Sequence, residues 1–299
     1  MSLQAGQYKT LKVNREKSPY GYFLGDGEHE VLLHYSEIEG SIEMGQELKV
    51  FLFHDSEDRL AATMREPLLT LGETGLLTVV DIHPRFGCYL EMGLSRHLLL
   101  PYKQLPEEPE YRPMTGDEVF VTLSTDKQGR MIGKLAGEQE LSRLTFRAPD
   151  LWKNQWLPAI VYNTLKMGSF VLVEGGKIGF GALGFIHESE RTKPLRIGEK
   201  LEVRITFVRE DGRVNCSMRQ RKEKSRDEDS DRLYEFLKAR PNGAMPYSDE
   251  TPAEIIKERF QMSKGAFKRA LGKLMKEGKV VQKGSWTHLA ENEEAEVKQ

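Results

Sequence analysis

Met167-Gly168-Ser169-Phe170-Val171 places a glycine among aromatic and apolar residues, and the same pattern occurs at two earlier points of the chain. The earlier copies read Tyr20-Gly21-Tyr22-Phe23-Leu24 and Phe86-Gly87-Cys88-Tyr89-Leu90. Each copy continues with a short apolar segment, a glycine that opens an alternating strand, and a turn that contains an arginine. The spacing from that later glycine to the arginine is 14, 14 and 15 residues, which indicates three copies of one structural unit.

Within each copy the hydrophobic period is two. Leu201, Val203, Ile205 and Phe207 alternate with polar residues, as expected for a strand that is buried on one face. Five short strands in about seventy residues fit a small Greek-key barrel of the OB-fold type. The sequence therefore predicts a mainly β, multidomain chain that begins with three tandem five-stranded OB-fold barrels.

The C-terminal part of the chain has a helical period instead. Thr251-Pro252-Ala253-Glu254 has the pattern of a capping box, and Ser263 is a candidate N-cap for a further helix. A hairpin is expected around Lys283-Gly284-Ser285. The predicted buried faces of three helices comprise Leu233, Phe236, Leu237, Ile255, Ile256, Phe260, Phe267, Ala270, Leu271, Leu274 and Met275. Three helices and a hairpin resemble an α/β winged-helix domain.

These patterns divide the chain into seven segments. We expect barrels at 1–66, 67–140 and 156–222, a partly helical connector at 141–155, a linker at 223–230, a winged helix at 231–290 and an acidic tail at 291–299.

The third copy resembles the S-one (S1) motif, an RNA-binding repeat. The matching stretches are Gly168-x-Phe170-Val171, Gly184-Phe185-Ile186-His187-x-Ser189-Glu190 and Arg209 to Arg219. The first copy matches well through Leu33-His34-Tyr35-Ser36-Glu37, whereas the second has Pro101 in place of the histidine and Lys103-Gln104 in place of Ser-Glu.

The resemblance implies a barrel face that carries two aromatic residues, the histidine and a basic residue of the last strand. In the third copy the resemblance points to Phe170, His187, Arg213 and Arg219, with Met167 in place of the first aromatic residue, and the net charge of +6 over residues 151–225 adds Arg204 and Arg209. Weaker sites are Tyr20, Phe23, His34, Arg59 and Arg65 in the first copy, and Phe86, Tyr89 and Arg130 in the second, where Ala136 replaces the final arginine. An exposed aromatic ring on such a face can stack on any unpaired base.

Each of these residues also has a purely structural interpretation. Aromatic residues in strands are usually part of a core, a histidine in a turn can bond to backbone, and arginines are often only solvated. The charge distribution favours the binding interpretation for the third copy. Net charge is −5 over residues 1–66, −3 over 67–150, +6 over 151–225 and +3 over 226–290, so a polyanion is expected to bind the C-terminal half. The acidic N-terminal half is a candidate protein-docking surface.

The winged helix carries cations on the exposed side of its third helix and on its wing. They are Lys264, Lys268, Arg269, Lys273, Lys276 and Lys283. A winged helix that binds duplex DNA places its recognition helix in this position, although a solvated helix face would show the same charges. Because no Asn or Gln faces outward there, contacts would go mainly to phosphate.

Three S1-like modules followed by this winged helix resemble the bacterial conserved virulence factor B family, from about Gly6 to Leu289. The resemblance implies RNA binding tied to control of virulence-related gene expression. We therefore expect single-stranded RNA as the partner, with duplex nucleic acid as a second possible ligand of the winged helix. The alternatives are a transcription regulator that reads duplex DNA and an adaptor whose barrels bind protein.

Other classes of protein are disfavoured. No apolar run reaches the roughly 18 residues of a membrane span, and the N-terminus lacks the pattern of a signal peptide. Two isolated cysteines, Cys88 and Cys216, indicate a reducing, cytoplasmic setting. Gly175-Gly176-Lys177 lacks the spacing of a phosphate-binding loop, and neither histidines nor carboxylates form a metal-site pattern. We expect no catalytic site, no metal and no cofactor.

Overall fold

The computed structural model describes residues 3–174, 181–220 and 222–290. The chain separates into two compact units, Met1–Arg219 and Gln220–Gln299. The first unit contains three β modules. The acidic tail at 291–299 and the stretch Gly175-Gly176-Lys177 lie outside the described residues.

The first module is a closed five-stranded barrel in the order β1-β2-β3-β5-β4. Its strands are β1 (Tyr8–Lys17), β2 (Gly21–Gly25), β3 (Glu30–His34), β4 (Glu47–His54) and β5 (Leu60–Thr63). Leu11, Val13 and Leu33 are among the residues that fill its interior, as the period of two predicts.

The second module is a five-stranded sheet in the order β10-β9-β6-β7-β8. Its strands are β6 (Thr74–His83), β7 (Gly87–Leu90), β8 (Leu98–Pro101), β9 (Glu118–Thr125) and β10 (Met131–Leu135). The two outer strands come close together, since a Cβ atom on Gly133 of β10 would lie 3.6 Å from the carbonyl oxygen of Leu99 on β8. This module therefore has the expected strands but, unlike the first, is not a closed hydrogen-bonded barrel.

The third module is again a closed barrel, in the order β11-β12-β13-β15-β14. Its strands are β11 (Trp156–Leu165), β12 (Gly168–Glu174), β13 (Gly181–His187), β14 (Lys200–Val208) and β15 (Val214–Ser217). The prediction of a mainly β chain built from OB-type modules is confirmed.

The three modules share their strand register, which confirms the repeat read from the sequence. The glycine that opens the second strand pairs with the last residue of the third strand, and the pairs are Gly21 with His34, Gly87 with Pro101 and Gly168 with His187. The backbones approach closely here, because a Cβ atom on Gly21 would lie 2.1 Å from the carbonyl oxygen of Leu33. Only glycine fits at such a position.

The modules are joined by apolar contacts. Phe51 and Phe53 of the first barrel belong to the same buried cluster as Leu77 and Leu90 of the second module. A second buried cluster contains Phe120 of the second module together with residues of the third barrel. A short helix, α1 (Glu138–Leu141), leads into the segment 141–155, which contains 3-10 turns at Ser142–Leu144 and Asp150–Trp152. Its residues Leu141 and Trp152 are buried in the packing of the third barrel.

The second unit is a winged helix, as predicted. It contains α2 (Lys222–Lys238), β16 (Ala244–Met245), α3 (Ala253–Phe260), α4 (Lys264–Lys276), β17 (Val280–Lys283) and β18 (Trp286–Leu289). Its sheet has the order β16-β18-β17. Ser263 caps α4, since its hydroxyl accepts a hydrogen bond from the backbone N–H of Ala266 at 3.2 Å.

Several predictions for this unit were wrong. Residues 223–230 do not form a linker, because the run of Lys, Glu and Arg favours helix and belongs to α2. The expected capping box does not form, since the Thr251 hydroxyl accepts from the N–H of Ser248 at 2.8 Å and Pro252 occupies the N-cap position. Ile255 and Met275, expected to be buried, are each 44% exposed because they lie at the margins of their helices' apolar faces.

Candidate nucleic-acid interface

The first barrel brings its predicted aromatic residues together. Tyr20, Phe23, His34 and Arg59 line one groove, which we call the first groove. Tyr20 is 52% exposed, and the Arg15 guanidinium lies 3.9 Å from the centre of the Phe23 ring. Tyr20 is therefore accessible to a ligand, whereas the Arg15 guanidinium covers one face of the Phe23 ring.

Acidic residues neutralise the cation of the first groove. The Arg59 guanidinium lies 2.8 Å from a carboxylate oxygen of Asp55 and 2.7 Å from one of Glu57. Burial raises the pKa of Asp55, but the N–H groups of Arg59 and Glu57 and the Arg59 guanidinium lower it by more, so that the carboxyl stays ionised. This groove offers ring faces to a ligand but little net positive charge.

The exposed histidines of the first and third barrels, His34 and His187, also stabilise the turns that follow them. The Nδ1 atom of His34 accepts a hydrogen bond from the N–H of Ser36 at 3.1 Å, and His187 does the same with Ser189 at 3.2 Å. Each ring thereby caps a 3-10 turn. Its Nε2 atom is the ring nitrogen left for a ligand.

The final arginines hold the same turns. The Arg65 guanidinium donates to the carbonyl oxygen of Ser36 at 3.2 Å, and that of Arg219 donates to the carbonyl oxygens of Ser189 at 2.9 Å and Arg191 at 3.1 Å. These donors shape the face around the histidine and are not directed at the aromatic rings.

Arg204 also bonds to backbone, because its Nε donates to the carbonyl oxygen of Arg219 at 3.0 Å. Arg204 and Arg219 therefore lie apart from the groove of the third barrel, whereas Arg209 and Arg213 line it.

The second module forms its groove together with the first barrel, and we call it the junction groove. Phe86, Tyr89 and Arg130 line it, as do His54 and Asp58 of the first barrel. Arg130 is paired with Asp126 at 2.8 Å and with Asp58 at 3.2 Å. Phe86 is 54% exposed.

The third barrel carries an extended row of residues on its outer face. Phe170 and Phe185 line the groove with their ring centres 5.0 Å apart, and we call this the third groove. Strand pairing continues the row from Phe185 to Asn215 on β15 and from Asn215 to Phe207 on β14. Phe207 is 50% exposed.

Sequence reasoning missed Phe185 as a site residue and placed Phe207 on the wrong face. The strict alternation along β14 predicted that Phe207 points inward with Ile205. A register shift between Ile205 and Phe207 reverses that alternation and turns Phe207 outward. The phenylalanine next to the histidine in Gly184-Phe185-Ile186-His187 was the available signal for Phe185.

The cations of the third groove are also paired, but with exposed partners. Arg213 lies 2.5 Å from Glu138 of α1, and Arg209 lies 2.8 Å from Asp211. The backbone N–H of Arg213, followed by the charges of Arg209 and Arg213, lowers the pKa of Asp211. Exposed ion pairs of this kind are weak, so both guanidinium groups can exchange their partners for phosphate.

The predicted cations of the winged helix fall into two groups. Lys273 packs between helices, with its ammonium 2.9 Å from Asp227 of α2, and the hydrogen bond to Asp227 raises its pKa. Lys268 lies 3.7 Å from Asp249, and Lys264 donates to the carbonyl oxygen of Glu250 at 3.5 Å.

The remaining predicted cations are exposed, two of them on α4 and one on the wing. Within the residues that the structure describes, Arg269 and Lys276 are exposed on α4 and have no carboxylate partner within 4.0 Å. Lys283 is exposed on β17, and the following strand begins with Trp286, which is 45% exposed. Trp286 is a further candidate that the sequence did not single out.

The residues described contain no group of three or more His, Cys, Asp or Glu side chains that could hold a metal ion. In the same part of the chain no helix is long and apolar enough to cross a membrane.

S1-type modules followed by a winged helix define a class of multidomain proteins built from nucleic-acid-binding domains. Family models agree with this class. An S1 domain matches residues 5–65, a first S1-like domain of CvfB matches 75–134, the second domain of virulence regulatory factor CvfB matches 141–220, and a CvfB-like winged helix domain matches 231–289.

Relatives place the chain more narrowly. It is 40% identical over 287 residues to the protein YitL of Bacillus subtilis, with 96% of this chain and 94% of that one covered. It is 35% identical to conserved virulence factor B of Staphylococcus saprophyticus, with 88% and 87% covered. The chain therefore belongs to the conserved virulence factor B (CvfB) family.

A solved structure supports the same architecture. A crystal structure of a multidomain protein with nucleic acid binding domains from Streptococcus pneumoniae superposes with a TM-score of 0.62 at 30% identity. The alignment covers 95% of this chain and 98% of that one, so the similarity extends through all four modules.

Proposed function

We propose that this chain is a non-catalytic, cytoplasmic protein that binds single-stranded RNA and acts in post-transcriptional control of gene expression. One observation carries the proposal. At the same register of the second strand, each β module presents a partly exposed aromatic residue in a groove that is also lined by the arginine of the turn before the last strand, and the three are Phe23, Tyr89 and Phe170. Repeated ring faces at one position suit an unpaired strand, whose bases are free to stack.

The third barrel is the strongest candidate for the main RNA contact. Its groove combines the Phe170 and Phe185 rings with Arg209 and Arg213, and residues 151–225 carry a net charge of +6. Stacking supplies affinity for any base, and the cations attract the phosphate backbone.

The winged helix adds a second basic surface. Exposed Arg269 and Lys276 on α4 and Lys283 on the wing suit contacts to phosphate rather than to base edges. The names of the staphylococcal relatives associate the family with virulence, and the family model for residues 141–220 is named for a virulence regulatory factor, which supports a regulatory role. Duplex nucleic acid is the second candidate ligand of this surface.

The two cysteines support the proposed cytoplasmic setting. Cys88 and Cys216 are both free and buried, and burial raises the pKa of Cys88 to about 11 and that of Cys216 to about 12. Protonated, buried thiols are inert to oxidation and fit a protein of the reducing cytoplasm.

The test is a titration of the full chain against labelled single-stranded RNA, matched single-stranded DNA and duplex DNA at several salt concentrations. We expect single-stranded RNA to bind most tightly. Removing one stacked base by Phe170→Ala should weaken that binding by about 1–3 kcal/mol. Phe146→Ala is the matched control, because Phe146 is an exposed aromatic residue of the connector that lines none of the three grooves.

Three results would contradict the proposal in different ways. Preference for duplex DNA would make the winged helix the working surface and favour a transcription regulator. Binding to no nucleic acid at low salt would favour an adaptor whose barrels bind protein. Equal losses from Phe170→Ala and Phe146→Ala would remove the third groove from the binding site.

A further inference from the structure

The junction groove is built by two modules rather than by one. The first barrel contributes His54 and Asp58 to its wall, and the second module contributes Phe86 and Tyr89. Arg96 of the second module lines both this groove and the first groove. The two grooves therefore adjoin at one side chain.

We propose that an RNA strand held in the first groove continues past Arg96 into the junction groove, where one unpaired base stacks on Phe86. The inference rests on the proposed function and adds to it a composite site and a path for the strand. It also assigns a binding role to the second module, whose own motif lacks the histidine.

Phe86 has the geometry of a prepared stacking surface. One face of its ring is covered by the imidazole of His83, with ring centres 4.3 Å apart and planes inclined by 19°. The side chain is nevertheless 54% exposed. Because His83 fixes the ring, a base that stacks on the open face does not have to order it, and less conformational entropy is lost on binding.

Arg96 lies between the two grooves and is held in place. Its guanidinium donates to the carbonyl oxygens of His54, at 3.3 Å, and of Asp55, and it lies 3.7 Å from the Asp58 carboxylate. Its side chain remains 44% exposed. A fixed, partly exposed guanidinium at this point suits the phosphate that joins a base in one groove to a base in the other.

The wall of the junction groove also contains an unused polar atom. The Nδ1 atom of His54 is buried and has no hydrogen-bond partner among the described residues. A buried polar atom without a partner costs free energy, and a base could bond to this one only if the His54 ring turned toward the groove.

The charges of the junction groove nearly cancel. Arg130 pairs with Asp126 and Asp58, and Arg96 lies close to Asp58. Stacking rather than phosphate attraction should therefore dominate the affinity of this site. It follows that removing Phe86 should change affinity and leave the salt dependence unchanged, whereas removing Arg96 should change both.

The experiment measures binding of the full chain to fluorescent oligouridine and oligoadenosine of about 4 to 16 nucleotides, the range of site sizes for OB folds. Phe86→Ala, Phe86→Tyr and Arg96→Gln are compared with Phe146→Ala at several salt concentrations. For the longer oligonucleotides we expect Phe86→Ala to bind about 5- to 150-fold more weakly and Phe86→Tyr to bind as the unaltered chain does. We expect Arg96→Gln to lower the slope of log affinity against log salt by about 0.7.

Two failures can be told apart. If the unaltered chain binds RNA and Phe86→Ala binds it as tightly as Phe146→Ala does, this inference is overturned and the proposed function stands. If the unaltered chain binds none of the oligonucleotides, the proposed function falls and this inference falls with it. Because Phe86 is exposed, thermal unfolding of Phe86→Ala should match that of the unaltered chain, which excludes misfolding as the cause of a loss.

Discussion

The turn before the last strand differs between the third barrel and the other two modules. In the first barrel and second module an aspartate stands four residues before the arginine, as Asp55 before Arg59 and Asp126 before Arg130. Each aspartate accepts hydrogen bonds from the backbone N–H and from the guanidinium of its arginine. In the third barrel the same position is Arg209, four residues before Arg213.

The difference shows how one backbone frame supports two kinds of surface. An arginine paired with an aspartate in its own turn brings no net charge to the groove. In the third barrel Arg209 takes the place of that aspartate, so two guanidinium groups lie beside Phe170 and Phe185 and share one exposed carboxylate of the turn, Asp211. The exchange places a second guanidinium in the third groove, which favours that groove as the site of phosphate contact.

A second difference separates the middle module from its neighbours. Where the outer barrels have Arg65 and Arg219, the second module has Ala136, which is 2% exposed in the cluster shared with the third barrel. The residue that shapes the histidine turn in the outer barrels has thus become part of an interface between modules.

The largest effect is expected from giving the middle module the arginine of its neighbours. Ala136→Arg would bury an unpaired charge against Phe120 and Tyr162, which should lower the free energy of unfolding by about 3–5 kcal/mol. Chemical denaturation measures the loss, with Lys134→Arg on the exposed side of β10 as the control. If Ala136→Arg were as stable as that control, the buried interface between the modules would not exist in solution.

The next largest effect concerns Phe207. Its counterpart in the first barrel is Phe53, which occupies the same position in the pairing of the fourth strand with the fifth. Phe53 is 3% exposed against the second module, whereas Phe207 is 50% exposed. Phe207→Ala should weaken binding of single-stranded RNA by about 1–3 kcal/mol and change stability by less than about 0.5 kcal/mol. Phe53→Ala should instead destabilise the fold by about 3–5 kcal/mol. An unchanged RNA affinity in Phe207→Ala would limit the binding surface to the groove itself.

A smaller effect should follow when the third turn is given the aspartate that the other two turns have. Arg209→Asp should reduce RNA affinity and lower the slope of log affinity against log salt by about 0.7, which corresponds to one phosphate contact. Lys153→Asp makes the same change of net charge on an exposed residue that does not line the third groove. Equal effects of the two variants would show that only the overall charge matters.

The smallest effect concerns acid stability. Hydrogen bonds from backbone and arginine lower the pKa values of Asp55 and Asp126 in spite of their burial, which acts in the opposite direction. Their stabilising contribution is therefore complete above the unfolded pKa of about 3.9 and is lost as the pH falls through the folded pKa values. Asp55→Asn combined with Asp126→Asn should reduce stability at neutral pH by about 1 kcal/mol for each turn.

The same double variant should be less sensitive to acid. Chemical denaturation of the double variant and of the unaltered chain, at neutral pH and below about pH 4, measures how much stability each protein loses in acid. A pH dependence that is identical in both would mean that other carboxylates determine the acid response.

Much of this architecture could be predicted from local sequence. The glycine of each repeat pairs with the predicted partner strand because only glycine permits the close approach of the two backbones, and Ser263 caps its helix through a bond three residues away. Such features depend on neighbours in the chain, which a sequence displays directly. The candidate aromatic residues Tyr20, Phe23, Phe86, Tyr89 and Phe170 line grooves for the same reason, since the repeat fixes their register.

Contacts between segments that are distant in sequence determined the features that the sequence did not predict. The register shift that turns Phe207 outward, the burial of Ala136 and the joint construction of the junction groove by His54 and Phe86 all depend on how separate strands and modules pack. The strand period and the repeat spacing determined which modules this chain forms. Tertiary packing alone decided which arginines remain available and which faces stay open, because charge pairing and burial depend on neighbours that the linear sequence does not place together.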